Sequence, residues 1–181
     1  MRYTLLLFIT LTLLACSTYD SALVYHKDFH SGAHPLLSFN GYYGDTIRLR
    51  PVNGNMEEQI RPIFFYANGS VFATDNYIGK DKFIAAAKLY GGGMTKIVDG
   101  SWGNYLVSGD TIIMEKFQKI ENNYVRIIMK GDISKGQIHW FTRKFHREQY
   151  EPVNYSAFFT KFDEKPDSTQ NFTRTLPVYN K

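Results

Sequence analysis

Short apolar segments with a two-residue alternation recur along most of this chain, and turn residues separate them. Ile47 and Leu49 alternate with arginines, and Val125, Ile127 and Met129 lie opposite Tyr124, Arg126 and Lys130. The segments follow one another at spacings of roughly 8 to 14 residues, which is typical of antiparallel all-β domains. The pattern predicts a mainly β fold, a meander of about eight strands closed into a barrel or packed as a sandwich.

Glycine-containing pairs predict the tight turns between these strands. Asn68-Gly69 separates two apolar runs, and both residue types tolerate a positive φ, so a hairpin is expected there. Gly109-Asp110 and Lys135-Gly136 predict two further turns, and Gly131-Asp132 predicts another close by.

One segment has the period of a helix instead of a strand. Between residues 80 and 90, Phe83, Ala86, Ala87 and Tyr90 recur at helical spacing. Three glycines follow at 91–93 and predict its end. Because a phosphate cradle needs glycines before a helix, we interpret these as a C-terminal cap.

The first fifteen residues predict a signal peptide. Arg2 precedes an apolar stretch from Leu5 to Leu14, which is shorter than the roughly 20 residues that a spanning helix needs. The sequence then reads Leu13-Leu14-Ala15-Cys16, and Cys16 is the single cysteine of the chain.

These residues resemble the lipobox of bacterial lipoproteins. The resemblance implies cleavage before Cys16, a diacylglycerol on its sulfur and acylation of the new amino terminus. With Ser17 as the next residue, it further implies anchoring in the outer membrane of a Gram-negative cell envelope. Asp20-Ser21-Ala22 resembles the O-glycosylation sites of Bacteroides-type lipoproteins.

The rest of the chain divides by composition into three parts. We expect a lipidated tether over residues 16–35, the β domain over 36–162 and a polar C-terminal tail over 163–181. The domain resembles the small lipocalin-like lipoproteins of Bacteroides-type bacteria, in which a Trp-Gly-x-Tyr strand leads into a Gly-Asp-Thr-Ile hairpin. Here that pattern begins at Trp102 and ends at Ile112, and the resemblance implies a barrel without supplying an active site.

Several functional classes lack their sequence features. The net charge is +4 without a long basic block, which argues against nucleic-acid binding. Nucleophile-elbow, zinc-protease and phosphate-loop motifs are absent from the sequence. We therefore expect no catalytic residues, no enzymatic activity and no cofactor.

Three histidines form a weak candidate for a metal site. His26, His30 and His34 lie four residues apart and would share one face of a helix, where they could bind zinc or copper. Gly32 and Pro35 disfavour such a helix, so a solvated linker is the preferred interpretation.

Aromatic residues are frequent, with 14 Phe, 13 Tyr and 2 Trp, and two interpretations of them stay open. They fill the core of the domain, or some line a cup in the barrel mouth that binds a ligand. The residues assigned to such a cup are Phe65, Trp102, Tyr105, Trp140 and Arg126.

The strand arginines leave a similar choice. Arg48, Arg50, Arg126 and Arg143 lie opposite apolar faces, so they either face solvent or select an anionic headgroup. The alternation from Ile138 onward places Arg143 on the opposite face from Trp140.

The sequence as a whole predicts a protein that is tethered to the membrane through Cys16 and works in the cell envelope. Its β domain is expected to bind a small amphiphilic or apolar ligand. The alternative is a protein–protein interaction module, either an inhibitor or an accessory subunit of an outer-membrane complex.

Overall fold

The computed structural model describes residues 34–49, 56–96, 100–120, 123–145 and 148–171. Within these ranges the chain forms nine β-strands and one α-helix. The strands are β1 (Gly41–Leu49), β2 (Glu57–Phe65), β3 (Ser70–Thr74), β4 (Ile78–Gly79), β5 (Gly100–Ser108), β6 (Thr111–Ile120), β7 (Asn123–Ser134), β8 (Gln137–Phe145) and β9 (Glu151–Lys161). The helix α1 spans Lys80–Tyr90, and two short 3-10 helices span Gly91–Lys96 and Ser168–Gln170.

Eight of the strands form a closed antiparallel barrel. Each pairs with its neighbour in the order β1-β2-β3-β5-β6-β7-β8-β9, and β9 pairs back with β1. The short strand β4 is an addition, because it pairs with β2 beyond the end of β3. The predictions of a mainly β fold, an antiparallel meander and a helix near 80–90 are confirmed, and the sheet closes as a barrel instead of stacking as a sandwich.

The two ends of this barrel differ. At one, the turn end, three tight turns contain Gly69, Gly109 and Gly136, each with positive φ. This confirms the hairpins predicted at those glycines. We call the other end the cavity end. There the strands β1, β6 and β8 end, and the strands β2, β5, β7 and β9 begin.

Large side chains fill the barrel on the side of the turn end. Tyr43, Phe65, Tyr105 and Trp140 point inward and are completely or almost completely buried. The rings of Phe65 and Tyr105 meet edge to face with centroids 4.9 Å apart. Such contacts add to the hydrophobic stabilisation of the core and leave no deep cup among these residues.

A second apolar cluster lies outside the barrel, beneath α1. Phe83, Ala86 and Ala87 of the helix are buried against outward-facing side chains of the strands. Those side chains include Tyr42, Phe64, Phe72 and Trp102. The predicted helical face is correct except at Tyr90, the last residue of the helix, which is 50% exposed.

The turn expected at Gly131-Asp132 is wrong, since β7 continues through both residues. Gly131 pairs with Trp140 across a register shift between β7 and β8. A Cβ atom there would lie 2.7 Å from the backbone oxygen of His139 and 2.9 Å from the Trp140 ring. The glycine therefore permits close approach of the strands at an irregularity, and it does not reverse the chain.

The segment after β9 crosses the turn end of the barrel. Tyr66 donates a hydrogen bond to the backbone oxygen of Pro166 at 2.6 Å. The ammonium of Lys165 lies 4.5 Å from the centroid of the Tyr66 ring and donates to the backbone oxygen of Phe65 at 3.3 Å. Asn171 donates to the backbone oxygen of Gly103 at 3.0 Å. These contacts fasten the segment over the filled half of the barrel.

Within the described ranges, no helix has the length and apolar character needed to cross a membrane.

Candidate functional site

A cavity of about 70 Å³ lies inside the barrel at the cavity end. Its floor is apolar and consists of inward-facing residues of β2, β3, β6 and β7: Ile63, Ala73, Met114, Ile127 and Met129. Its wall is polar and includes Arg61, Thr74, Asp75, Lys116, Gln118 and Arg143. Phe145 and Tyr155 complete the lining.

The central feature of the wall is a buried ion pair. Lys116 points inward from β6, and its ammonium nitrogen lies 2.6 Å from a carboxylate oxygen of Asp75. The Ser101 hydroxyl donates to the same carboxylate, at 2.8 and 2.7 Å from its two oxygens. The Lys116 and Asp75 side chains are only 9% and 5% exposed, so the pair is largely removed from water.

The alternation of β3 brings Asp75 to this position. Val71 and Ala73 face the interior of the barrel, and Asp75 follows at the same two-residue spacing. Ile63 pairs with Ala73 and Ile60 with Ile78, so the β3–β4 side contains two more residues than the β2 side. An even number of extra residues leaves the alternation of faces unchanged.

A second pair involves Arg61 and Asp45 on neighbouring strands. Arg61 donates from Nε and Nη2 to the two carboxylate oxygens of Asp45 at 3.2 and 3.1 Å. Its guanidinium carbon lies 5.1 Å from the ring centroid of Tyr77 and 4.5 Å from that of Tyr155. The Tyr77 hydroxyl donates to Asp45 as well. Arg61 is thereby held between two aromatic rings and a carboxylate.

Arg143 reaches the cavity because β8 contains a bulge. The pairing of β8 with β7 shifts by one residue at Phe141, since Lys130 pairs with Thr142 but Gly131 pairs with Trp140. After the bulge the alternation of faces is reversed, so Arg143 points inward like Trp140. The sequence placed Arg143 on the opposite face from Trp140, and that expectation is wrong for this reason.

At the rim, Arg143 forms an ion pair with Glu151. The guanidinium donates to one carboxylate oxygen of Glu151 from Nε at 2.7 Å and from Nη2 at 2.6 Å. The two side chains are 38% and 45% exposed. An exposed pair of this kind contributes little to stability and can rearrange at small cost.

The surroundings shift the pKa values of Lys116 and Tyr155 in the site. Burial lowers the pKa of the Lys116 ammonium; Asp75 opposes this effect, while the nearby charges of Arg61 and Arg143 add to it. Burial also raises the pKa of the Tyr155 hydroxyl to about 12. Tyr155 is therefore a neutral hydrogen-bond donor at physiological pH, and its closest described acceptor is the Met129 sulfur at 3.8 Å.

The residues that the sequence assigned to a cup lie elsewhere in the barrel. Phe65, Tyr105 and Trp140 belong to the filled interior, and Trp102 lies on the outer face beneath α1. Arg126 also faces outward, paired with the carboxylate of Glu115. All five are in the described part of the chain, and the cavity is lined by other residues. A ligand-binding role for them stays a prediction.

Most of the remaining candidate residues lie outside the described ranges. These are Cys16, His26 and His30. His34 is described, and its Nδ1 accepts a hydrogen bond from the backbone of Leu36 at 3.4 Å. Among the residues that the structure describes, no group of three or more His, Cys, Asp or Glu side chains could hold a metal ion.

Sequence reasoning missed most of the polar wall. Lys116, Asp75 and Ser101 come from three separate segments and form no motif. The available signals were two charged residues in inward-facing registers, where apolar residues would be expected: Lys116 after Ile112 and Met114, and Asp75 after Val71 and Ala73.

No known protein family, curated protein or solved structure matches this chain.

Proposed function

We propose that this protein is a lipid-anchored component of a bacterial cell envelope whose barrel binds a small amphiphilic ligand in the cavity described above. The proposed activity is binding without catalysis. The observation that carries the proposal is the division of the cavity into an apolar floor and a polar wall. This division matches a ligand with one apolar and one polar end.

The anchoring half of the proposal depends on the N-terminal sequence. The short apolar stretch, the small Ala15 and the single Cys16 together resemble a lipobox. One acyl chain anchors only marginally, whereas several chains on one cysteine would hold the domain at the membrane. The ligand would then be one that is found in the envelope.

The volume of the cavity limits the size of the ligand. At 70 Å³ it has room for about five water molecules, since one water needs roughly 10–15 Å³ of such a cavity. A molecule with roughly six non-hydrogen atoms fits this space. A long acyl chain would have to displace the buried rings of Phe65, Tyr105 and Trp140, so we expect the barrel to reject it.

A chain-length series tests this proposal. The purified full chain, in zwitterionic nanodiscs, is titrated calorimetrically with amphiphiles whose tails grow from about four to about sixteen carbons, and empty nanodiscs serve as the blank. We expect saturable binding of the short members and a loss of affinity as the tail outgrows the cavity. Absence of binding across the series, or equal affinity for the longest tails, would reject the proposal.

One observation favours the alternative, a protein–protein interaction module. Leu89 and Tyr90 are neighbours at the end of α1, and they are 73% and 50% exposed. Cross-linking in cells from a photoreactive residue at position 89 would test it. Capture of one envelope protein, together with no ligand binding by the cavity, would replace the ligand proposal with the alternative.

A further inference from the structure

The geometry points to a short-chain carboxylate as the ligand, with its anionic group on the Lys116 and Arg143 side of the cavity and its apolar tail on the floor. This inference rests on the proposed function and specifies the chemistry of the ligand.

The residues that line the cavity include more cations than carboxylates. Arg61, Lys116 and Arg143 contribute three cationic groups to the wall, and Asp75 contributes one carboxylate. Two further carboxylates, Asp45 on Arg61 and Glu151 on Arg143, balance the remaining charges from outside the lining. A carboxylate inside the cavity would take the place of the exposed Glu151 beside Arg143, so an anion fits this wall better than a neutral group does.

Burial strengthens this preference. The Lys116 side chain is 9% exposed, so its ammonium receives little solvation from water. Arg61 and Arg143 are close enough to disfavour its protonated form. An anion placed among the three cations would offset both effects, since charges interact more strongly where water is excluded.

Three groups of the wall offer hydrogen bonds to such an anion. Arg143 can turn from Glu151 toward the cavity because their pair is 38% and 45% exposed. The neutral Tyr155 hydroxyl faces the cavity with only the Met129 sulfur as a described acceptor. The Lys116 ammonium has three donors, of which one is directed at Asp75. A planar carboxylate can accept from a guanidinium and a hydroxyl at the same time.

The floor accounts for the other end of the ligand. Met114 and Met129 are 1% and 4% exposed, and both line the cavity. Methionine side chains are flexible and adapt to small apolar groups. An inorganic anion would leave this surface without a contact, whereas a tail of a few carbons would cover it.

Three ligands of the same size and different charge test the inference. The full chain in zwitterionic nanodiscs is titrated calorimetrically with butyrate, butyramide and butylamine. We expect butyrate to bind with an affinity at least tenfold above that of the other two, about the difference that one charge-assisted contact makes. Butyramide or butylamine binding as tightly as butyrate would overturn the inference and leave the proposed function in place. If none of the three binds, both fail.

A matched pair of arginine variants locates the contact. Arg143→Gln should lower butyrate affinity about tenfold and leave the weak binding of butyramide unchanged. Arg48→Gln is the control, because Arg48 is exposed on β1 and does not line the cavity. Equal affinities of the two variants for butyrate would overturn the assignment of Arg143. Should Arg143→Gln fail to fold, Tyr155→Phe takes its place in the comparison with Arg48→Gln. This variant removes one hydrogen bond to the anion, so its butyrate affinity should be the lower of the two.

Discussion

The ammonium nitrogen of Lys116 lies 2.6 Å from a carboxylate oxygen of Asp75 inside the barrel, where the two side chains are 9% and 5% exposed. Removing two charges from water is costly, and the attraction between the two members offsets part of that cost. The pair also lies next to the apolar floor formed by Met114 and Met129. It therefore places charge directly beside an apolar surface and forms one part of the polar wall of the cavity.

Removing one member of this pair should destabilise the barrel strongly. Lys116→Met leaves the Asp75 carboxylate buried with only Ser101 as its described partner, and we expect a loss of about 3–5 kcal/mol in the free energy of unfolding. The double variant Asp75→Asn with Lys116→Met removes both charges and should be more stable than Lys116→Met alone. Urea unfolding of the wild type, of the single variants Lys116→Met and Asp75→Asn, and of the double variant gives a double-mutant cycle. Additive losses would show that the two groups do not interact.

Tyr155 should make the stability of the protein fall at alkaline pH. Burial raises the pKa of its hydroxyl to about 12, whereas a tyrosine in the unfolded chain ionises near pH 10. Between these values the folded state keeps a proton that the unfolded state has lost, so the free energy of unfolding decreases as the pH rises. The wild-type protein should lose roughly 2–3 kcal/mol relative to Tyr155→Phe across this window.

Urea unfolding of both proteins from about pH 9 to about pH 12 checks this expectation. Burial also raises the pKa of Tyr66, but Tyr66 is present in both proteins and its effect cancels in the difference. Parallel stability curves for the two proteins would contradict the buried position of the Tyr155 hydroxyl.

The sequence predicted the architecture well and the site poorly, and the reason is physical. Alternation and turn residues are local signals, so Gly69, Gly109 and Gly136 identified three hairpins of the barrel. The cavity depends instead on the bulge at Phe141, which exchanges the inward and outward faces of β8, and on side chains that come from separate strands. A bulge is set by pairing with neighbouring strands, and its position leaves no signature in the period of one strand.

Gly103 should tolerate no side chain. A Cβ atom at this position would lie 1.9 Å from the backbone oxygen of Glu115, so Gly103→Ala must push β5 and β6 apart. We expect a loss of more than about 3 kcal/mol, in the range of severe overpacking. Gly93→Ala is the control, because a Cβ there would have no atom within 4 Å. Thermal unfolding of the two variants should differ clearly, and equal melting temperatures would contradict the close pairing of β5 and β6.

Cys16 should determine the location of the protein. Cys16→Ser removes the thiol that the proposed lipidation requires, so we expect the variant to lose acyl labelling and to leave the membrane fraction of the cells. Palmitate labelling followed by fractionation measures both effects, with the wild-type chain as the reference. A variant that still carries label in the membrane fraction would contradict lipid anchoring through Cys16.

The position of the ligand is tested most directly by methionine methyl signals. The chain has five methionines, of which Met114 and Met129 line the cavity while Met56 is 59% exposed and does not line it. Isotope labelling of the methyl groups, with assignment by substitution, allows each signal to be followed during a titration with butyrate. We predict that the Met114 and Met129 signals shift together along one saturation curve while the Met56 signal stays in place. Saturable binding that leaves Met114 and Met129 unmoved would contradict the assignment of this cavity as the binding site.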